Sequence, residues 1–215
     1  MGHGGGAGVF LVVEGPEGAG KTTLVRWLAA QFLAEGRSAL TVREPGGTPV
    51  AEAARKLALK SKHDIAPAAE LFLILAARAD LVEREIRPAL EAGKVVVADR
   101  FDLSTMAYQV AGRGLPREDV AAALRLATGG LVPDLTLVLD VPVEVGRERQ
   151  RRLRKEQDRF ERQDDAFHER VRAVYRDASG PRVVHLDATL SKKAVQESAW
   201  REVTAVSAHS LRGMS

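Results

Sequence analysis

Phe10-Leu-Val-Val-Glu-Gly-Pro-Glu-Gly-Ala-Gly-Lys-Thr-Thr-Leu-Val25 is the segment from which the architecture of this chain can be predicted. Residues 15–22 within it fit the phosphate-loop pattern G-x-x-x-x-G-K-[ST]. The apolar run over residues 9–13 predicts a buried parallel strand, and apolar residues such as Leu24 and Leu28 recur after the loop at helical spacing. Because strand, glycine-rich loop and helix follow in this order, the sequence predicts a nucleotide phosphate site and not a chance turn.

The chemistry of such a loop assigns a role to each of its parts. Successive backbone N–H groups at a helix start attract an anion, because the free donors and the helix dipole both favour negative charge. The lysine, Lys21, is expected to reach the β- and γ-phosphates, and the hydroxyl of Thr22 to hold Mg²⁺. The predicted nucleotide-binding residues are Gly15, Pro16, Glu17, Gly18, Ala19, Gly20, Lys21, Thr22 and Thr23.

Composition limits the class of protein. A chain of 215 residues with 45% hydrophobic content can bury one substantial core with a small lid. The absence of cysteine excludes disulfides, thiolate metal sites and thiol catalysis, and it fits a cytoplasmic location. No apolar run approaches the roughly 20 residues of a membrane span. The net charge of +3 is too small to indicate nucleic-acid binding by itself.

Five short apolar segments alternate with helical patterns along the chain, at residues 9–13, 39–42, 95–98, 135–139 and 183–186. This alternation predicts an α/β fold of three layers, with helices on both faces of a five-stranded parallel sheet and a ligand site at the carboxyl ends of the strands. We expect a disordered lead-in over residues 1–8, one domain over 9–205, and a frayed tail over 206–215.

The second predicted strand ends in Arg43-Glu-Pro-Gly-Gly-Thr48. Pro45 holds Glu44 away from helical geometry, and the two glycines permit a tight turn and the close approach of a ligand. A plain turn before a helix that starts near Thr48 would use the same residues, so local chemistry leaves both interpretations open.

Residues 66–92 show a long helical pattern whose apolar stripe predicts core packing. Ile74 and Arg78 are four residues apart and share one face, whereas Phe72 points elsewhere. An isolated arginine is usually solvated, so the pattern alone does not assign Arg78 to a ligand.

The third predicted strand delivers Asp99 and Arg100 to the carboxyl edge of the sheet, beside the phosphate loop. An acid there can hold the water shell of a metal ion, and the arginine can bind a phosphate through two hydrogen bonds. Ser104, Thr105 and Tyr108 follow at spacings of three and four and fall on one helix face. They indicate a polar pocket wall; a capping cluster would explain Ser104 but not Tyr108.

Basic residues crowd the segment after the fourth predicted strand, at Arg147, Arg149, Arg151, Arg152, Arg154 and Lys155. A run of charge is usually a solvated helix face. The alternative is an arginine-rich lid over about residues 146–160 that closes over transferring phosphates and excludes water. The variable positions of the phosphate loop carry no cation, so we expect the lid to supply a catalytic arginine.

These motifs, taken in order, resemble those of bacterial thymidylate kinases, and the resemblance runs from about Val9 to Val203. The matching blocks are residues 14–23, 43–48, 70–78, 99–109, 133–136 and 158–161. The phosphate loop alone occurs in many unrelated nucleotide-binding proteins, but the ordered set is specific.

The resemblance implies transfer of the γ-phosphoryl group of ATP to the 5′-phosphate of dTMP, giving dTDP and ADP, with Mg²⁺ held near Thr22 and Asp99. The catalytic residues that it implies are Lys21, Asp99, Arg100 and a lid arginine among Arg151, Arg152 and Arg154. The residues that it assigns to dTMP are Glu17, Pro45, Ile74, Arg78, Arg100, Ser104, Thr105, Tyr108 and Gln109. Members of the family are commonly homodimers, so the implied partners are ATP, dTMP and a second copy of the chain, with neither nucleic acid nor membrane.

Particular matches carry finer implications. Glu17 matches the loop acid that meets the sugar 3′-hydroxyl of the acceptor, and Arg100 matches the arginine that bridges donor and acceptor phosphates. Arg78 and Thr105 match positions that read the base edge, while Tyr108 matches a tyrosine packed near the 2′ position.

The sequence departs from the family pattern at three places. Ile74 stands where relatives usually place a phenylalanine that stacks on thymine, so base contact here lacks a π face. The lid is one residue longer than in close relatives. Phe101 stands where relatives often have tyrosine or histidine.

Two other functions are compatible with parts of this sequence: a kinase for another nucleotide or nucleoside, and a nucleotide-sensing or nucleic-acid-binding module that uses residues 147–155 as a basic patch. The chain contains no asparagine, which excludes the usual GTPase guanine-reading element and the protein-kinase catalytic loop.

Overall fold

The computed structural model of the protein describes residues 8–152 and 157–212. Over these residues the chain forms five parallel strands in the order β2-β3-β1-β4-β5. They are β1 (Val9–Glu14), β2 (Ala39–Arg43), β3 (Val95–Asp99), β4 (Leu135–Asp140) and β5 (Val183–Asp187). The α/β prediction and all five predicted strand positions are confirmed.

Helices cover both faces of the sheet. In chain order they are α1 (Lys21–Ala34), α2 (Pro49–Lys60), α3 (Pro67–Leu81), α4 (Arg87–Glu91), α5 (Asp102–Thr105), α6 (Arg117–Thr128), α7 (Val143–Arg152), α8 (Asp165–Arg176) and α9 (Lys192–Arg212). A π-helical turn, Val82–Ile86, joins α3 to α4, so the predicted helical pattern over 66–92 has wider turns near its centre. A second π-helical segment, Met106–Gly112, continues α5.

The central strand β1 is buried along its whole length because it contacts a helical layer on each face. Leu11 and Val13 point to one face and pack with Leu28 of α1. Phe10 and Val12, in the alternate positions, point to the other face and pack near Leu81 and Ile86. The continuous apolar run in the sequence therefore reflects burial on both faces of the sheet.

Two described features lie at predicted domain boundaries. Helix α9 extends through residue 206, where the predicted tail begins, and continues to Arg212. The sequence has neither glycine nor proline between Lys192 and Gly213, so nothing local ends the helix earlier. Gly8, assigned to the lead-in, is packed so closely that a side chain there would strike the backbone of Leu90. The rest of the predicted lead-in lies outside the described residues.

Parallel pairing brings the carboxyl ends of β1, β2 and β3 to one edge of the sheet. Asp99 at the end of β3 is in register with Val13 on one side and with Arg43 on the other. The phosphate loop and the loop after β2 thus flank Asp99 and Arg100. No helix in the described part of the chain combines the length and the apolar character needed to cross a bilayer.

Candidate active site

A cavity of about 1000 Å³ opens at this edge of the sheet. Most of the predicted site residues line it, namely Glu17, Gly18, Gly20, Lys21, Thr22, Thr23, Pro45, Ile74, Arg78, Asp99, Arg100, Ser104, Thr105, Tyr108, Gln109, Arg151 and Arg152. Gly15, Pro16 and Ala19 belong to the loop but do not line the cavity. Arg154 lies outside the described residues.

The phosphate loop has the backbone that its glycines permit. Gly15, Gly18 and Gly20 have φ angles of 139°, 73° and 96°, a region that favours glycine. Lys21 is buried in the first turn of α1, and its Nζ donates to the carbonyl oxygens of Gly15 at 3.0 Å and Pro16 at 2.7 Å. The lysine ammonium is therefore held inside the curve of the loop, where a phosphate would bind.

The charge on Lys21 is sensitive to its surroundings. Burial, together with the nearby cation Arg100, lowers the pKa of Lys21 to about 8, although Glu17 and Asp99 act in the opposite direction. An anion bound in the loop favours the protonated form of this group.

Thr22 and Asp99 meet beside the loop. The Thr22 hydroxyl donates to Asp99 Oδ2 at 2.5 Å, which joins α1 to the end of β3. Both groups offer hard oxygen ligands, the kind that Mg²⁺ prefers, and they lie next to the loop that would hold the phosphates. The donor set fits a magnesium ion shared with bound phosphates.

Arg100 connects several walls of the cavity. Its backbone φ is 77°, unusual for a residue other than glycine. Its Nη2 donates to Glu17 Oε1 at 2.5 Å and to the Tyr108 hydroxyl at 3.2 Å. Its Nη1 donates to Ser104 Oγ at 3.1 Å and to the Tyr175 hydroxyl at 3.0 Å. The guanidinium is thus fixed between the phosphate loop, α5 and α8.

Glu17 is ionised in this arrangement. Burial alone would raise its pKa, but the charges of Arg100 and Lys21 and a hydrogen bond from the Tyr108 hydroxyl, 2.8 Å long, lower the pKa of Glu17 to about 2. The loop acid therefore presents a carboxylate to the cavity at any physiological pH.

Glu14 and Tyr175 help to fix Arg100, Tyr175 by a direct hydrogen bond and Glu14 through Ser104, and neither was predicted as a site residue. Glu14, the last residue of β1, accepts hydrogen bonds from the backbone N–H groups of Phe101 and Ser104 and from the Ser104 hydroxyl, at 2.8, 3.0 and 2.6 Å. Ser104 Oγ and the Tyr175 hydroxyl lie 2.9 Å apart. Ser104 is therefore part of a buried network and not a helix cap.

Arg78 is 1% exposed, so the interpretation of a solvated arginine is wrong. Its Nε donates to Glu44 Oε2 at 2.5 Å, its Nη1 to Thr105 Oγ1 at 2.9 Å and its Nη2 to the Phe101 carbonyl at 2.7 Å. Five donors and three such bonds leave N–H groups for a ligand. The Arg78 and Thr105 side chains are therefore adjacent at the cavity wall.

Glu44 is a second acid that sequence reasoning did not assign. Burial raises the pKa of Glu44 to about 7, against the opposing charge of Arg78. Its Oε1 is buried and has no hydrogen-bond partner among the described residues. The only signal in the sequence was its place in the block 43–48, beside Pro45.

An apolar wall lies near Arg78. Ile74 is buried and packs in one cluster with Tyr108 and Phe160, whose rings meet edge to face at 5.2 Å. Phe72 is 66% exposed and does not line the cavity, so it points away from the face that carries Ile74. Phe160 also lines the cavity and was not predicted as a site residue.

Three further arginines, Arg43, Arg55 and Arg149, line the cavity and were not predicted as site residues. Arg55 of α2 donates through Nη1 to the Pro45 carbonyl at 2.6 Å. Arg149 of α7 donates to the carbonyls of Gly18 at 3.4 Å and Ala188 at 2.9 Å. Arg149 belongs to the basic segment assigned to the lid, whereas no local signal distinguished Arg55 from a solvated arginine on a helix face.

Helix α7 is seated on the phosphate loop. A side chain at Gly18 would strike the backbone of Gly146, and one at Gly146 would strike the carbonyl oxygen of Glu17. Among the predicted lid arginines, Arg152 forms an ion pair with Glu148, and Arg151 is exposed at the cavity. Basic side chains on α7 thus lie beside the loop.

A phosphate loop between β1 and α1 of a parallel sheet, with cations converging on the loop, defines the P-loop kinase class of α/β proteins. The family model described as Thymidylate kinase matches residues 13–199. The chain belongs to the thymidylate kinase family.

Curated relatives agree with this membership. The chain is 48% identical to the thymidylate kinase of Thermomicrobium roseum over 202 residues, which is 92% of this chain and 95% of the relative. It is 48% identical to that of Pseudomonas putida over 194 residues, 88% and 92% of the two chains. It is 49% identical to that of Cereibacter sphaeroides over 176 residues, 80% and 81%.

Proposed function

We propose that the protein transfers the γ-phosphoryl group of ATP to the 5′-phosphate of dTMP, giving dTDP and ADP. The observation that supports this most directly is one cavity with two kinds of wall. Lys21 and the phosphate loop form one side, and Arg78 with Thr105 forms a side suited to a base edge, with Arg100 between them. A protein that only bound one nucleotide would have no need of the second wall.

At the donor end, the loop from Gly15 to Thr23 would hold the phosphates of ATP through backbone N–H groups. Lys21 would exchange its bonds to loop carbonyls for bonds to phosphate oxygens. Arg149 bridges the loop and the segment after β5, so it is placed to close this end around the nucleotide.

Thr22 and Asp99 would hold Mg²⁺, whose chemistry there is to neutralise phosphate charge and orient the transferred group. The protein's own contribution is to position these oxygens: the bond between the Thr22 hydroxyl and Asp99 already sets them side by side.

At the acceptor end, Arg78 and Thr105 would contact the edge of the base, with Gln109 beside them and Ile74 supplying apolar contact. Glu17 would accept from the sugar hydroxyl. The remaining residues of this proposed surface are Pro45, Ser104 and Tyr108, and Arg55 adds a cation at the same wall.

The reaction needs no covalent intermediate. The acceptor phosphate carries nucleophilic oxygens at neutral pH, so the protein acts by alignment and by stabilising charge. Arg100 is held at the junction of the two ends by Glu17 and by the hydroxyls of Ser104 and Tyr175, and it would exchange some of these bonds for bonds to the donor and acceptor phosphates. An arginine of the lid, Arg151, Arg152 or Arg154, would cover the transferred group.

We also propose a homodimer, a cytoplasmic location and a single domain over residues 9–205 with a lid at about 146–160. Val50 and Leu57 of α2 are seven residues apart on one helix face and exposed, and Phe72 is exposed on the neighbouring helix α3. Val50 also lines a shallow groove with Ala76. Such an apolar patch on a helix pair is typical of a protein interface.

A coupled assay of ADP release across dTMP, dUMP, dCMP, dAMP and dGMP tests the proposed activity. We expect the highest kcat/KM with dTMP. The second candidate, a kinase for another nucleoside monophosphate, draws support from Ile74, which removes an aromatic base contact, and a different preferred acceptor would favour it. If ADP is released with none of the five nucleoside monophosphates, only a nucleotide-binding role remains for the protein.

A further inference from the structure

A buried carboxylate outside the cavity lining accepts a hydrogen bond from the Gln109 amide. Glu70, in the first turn of α3, has no exposed surface and does not line the cavity. Gln109 is 1% exposed and does line it. Gln109 Nε2 donates to Glu70 Oε1 at 3.3 Å, so the amide lies between the carboxylate and the cavity.

Two arginines fix the carboxylate. Arg113 donates through Nε to Glu70 Oε1 at 3.1 Å and through Nη2 to Glu70 Oε2 at 2.9 Å. Arg159 Nη1 lies 3.6 Å from Oε2. A carboxylate held by two guanidinium groups accepts hydrogen bonds and has none to donate. The nitrogen end of the Gln109 amide must therefore face Glu70, which directs its carbonyl oxygen the other way.

We propose that Glu70, anchored by Arg113, is a positioning residue for base selection: it keeps the Gln109 carbonyl oxygen turned to the cavity, where that oxygen requires a hydrogen-bond donor from the base. The proposal rests on the proposed function and adds to it a source of selectivity. Arg78 supplies the complementary donor on the same wall. A pyrimidine that presents a carbonyl oxygen beside an N–H satisfies both groups, as thymine and uracil do.

Cytosine presents the opposite pattern, with an amino donor at position 4 and an acceptor at N3. Its amino group would face the donors of Arg78, and its N3 would face the oxygen of Gln109. Buried polar groups left unpaired in this way discriminate more strongly than apolar contacts do. Ile74, an apolar contact without a ring, does not contribute this kind of selectivity.

The variant Glu70→Gln tests the inference with little change of shape. An amide nitrogen at the Oε1 position can donate to Gln109, whose carbonyl then turns toward residue 70 and whose nitrogen turns to the cavity. We expect the ratio of kcat/KM for dTMP to kcat/KM for dCMP to fall at least about tenfold. The double variant Glu70→Gln with Gln109→Glu restores an acceptor at the cavity and should recover most of the ratio.

Arg87→Gln is the matched control for lost stability, because Arg87 binds the carbonyls of Thr128 and Gly129 away from the cavity. It should lower the unfolding midpoint and leave the ratio unchanged. If Glu70→Gln does not fold, Arg113→Lys loosens the same carboxylate and should also lower the ratio. An unchanged ratio in the folded variants overturns the inference, whereas wild-type protein that does not phosphorylate dTMP overturns the proposed function instead.

Discussion

Arg100 Nη2 donates to Glu17 Oε1 at 2.5 Å, which joins the end of β3 directly to the phosphate loop. The bond is made by a residue whose backbone φ of 77° costs on the order of 1 kcal/mol for a side chain other than glycine. Hydrogen bonds from this guanidinium to Ser104, Tyr108 and Tyr175 offset that cost. These hydrogen bonds thus stabilise an unfavourable φ angle at Arg100, which holds its guanidinium beside the phosphate loop.

Removal of the Arg100 guanidinium should abolish most of the turnover. Replacement by glycine should also remove the cost of the positive φ at this position. We expect both Arg100→Ala and Arg100→Gly to lower kcat by about 10²–10⁴-fold with ATP and dTMP saturating. Glycine accepts the positive φ, so Arg100→Gly should be more stable than Arg100→Ala by about 1 kcal/mol in chemical denaturation. Near-normal kcat in either variant would contradict the proposed role of Arg100.

ATP binding should weaken as pH rises through about 8. The pKa of Lys21 is lowered to about 8, so the free protein loses this charge above that pH, while phosphate binding favours the protonated form. Calorimetric titration with ATP at pH 8.5, in buffers of different ionisation enthalpy, should show proton uptake. In Lys21→Met this uptake should disappear and kcat should fall about 10²–10⁴-fold; equal uptake in both proteins would assign the titration to another group.

An aromatic ring at position 74 should improve acceptor binding. Ile74→Phe adds a π face to the wall shared with Tyr108 and Phe160, so we expect the KM for dTMP to fall about two- to tenfold with the KM for ATP unchanged. Leu33→Phe, which adds a ring at an exposed position of α1, is the control and should leave both constants unaltered. A raised KM for dTMP would mean that the base lies against a different wall.

Glu44 should make the protein less stable as pH rises from about 4.5 to 7. Its pKa is raised from 4.5 to about 7 by burial, so over this range the folded state keeps a proton that the unfolded state has lost. Stability contributed by this group is therefore greatest at low pH and decreases by on the order of 2 kcal/mol up to pH 7. Urea denaturation across the range should show a flatter profile for Glu44→Gln than for the wild type. Identical slopes would exclude Glu44 as the source.

The apolar face of α2 and α3 should mediate self-association. Phe72→Asp places a charge on the α2–α3 helix pair that exposes Val50, Leu57 and Phe72, and we expect it to shift the protein from dimer to monomer in sedimentation velocity. Leu33→Asp introduces the same charge at an exposed position of α1, and this variant should have the same sedimentation coefficient as the wild type. A monomeric wild-type protein would refute the proposed dimer.

Local sequence chemistry was sufficient for the parts of the fold and site that lie within one motif. Periodicity identified β1 and α1, and the spacing of the loop placed Lys21 and Thr22 where the structure has them. The strand ending in Asp99 was also evident, because parallel strands end at a common edge. These predictions required no knowledge of contacts between distant segments.

The supporting network required such knowledge and was therefore missed. Glu14 bonds Ser104 across 90 residues, and Ser104 contacts Tyr175 across 71. Neither the last residue of a strand nor a tyrosine in an amphipathic helix carries a local signal for these pairings. Glu44 and Glu70 were similarly inconspicuous, since a buried acid cannot be distinguished from an exposed one until its arginine partner is known.

The contact between Gly18 and Gly146 has a consequence for how nucleotides enter and leave. A helix whose first turn rests on the loop backbone cannot move away at that end without moving the loop too, so we expect any opening of the cavity to involve the part of α7 beyond Arg149. Alanine at either glycine would push the two segments apart and displace every arginine that follows, although no charge in the chain had been altered. Mutagenesis confined to ionisable residues would therefore miss Gly18 and Gly146, whose close contact positions α7 beside the phosphate loop.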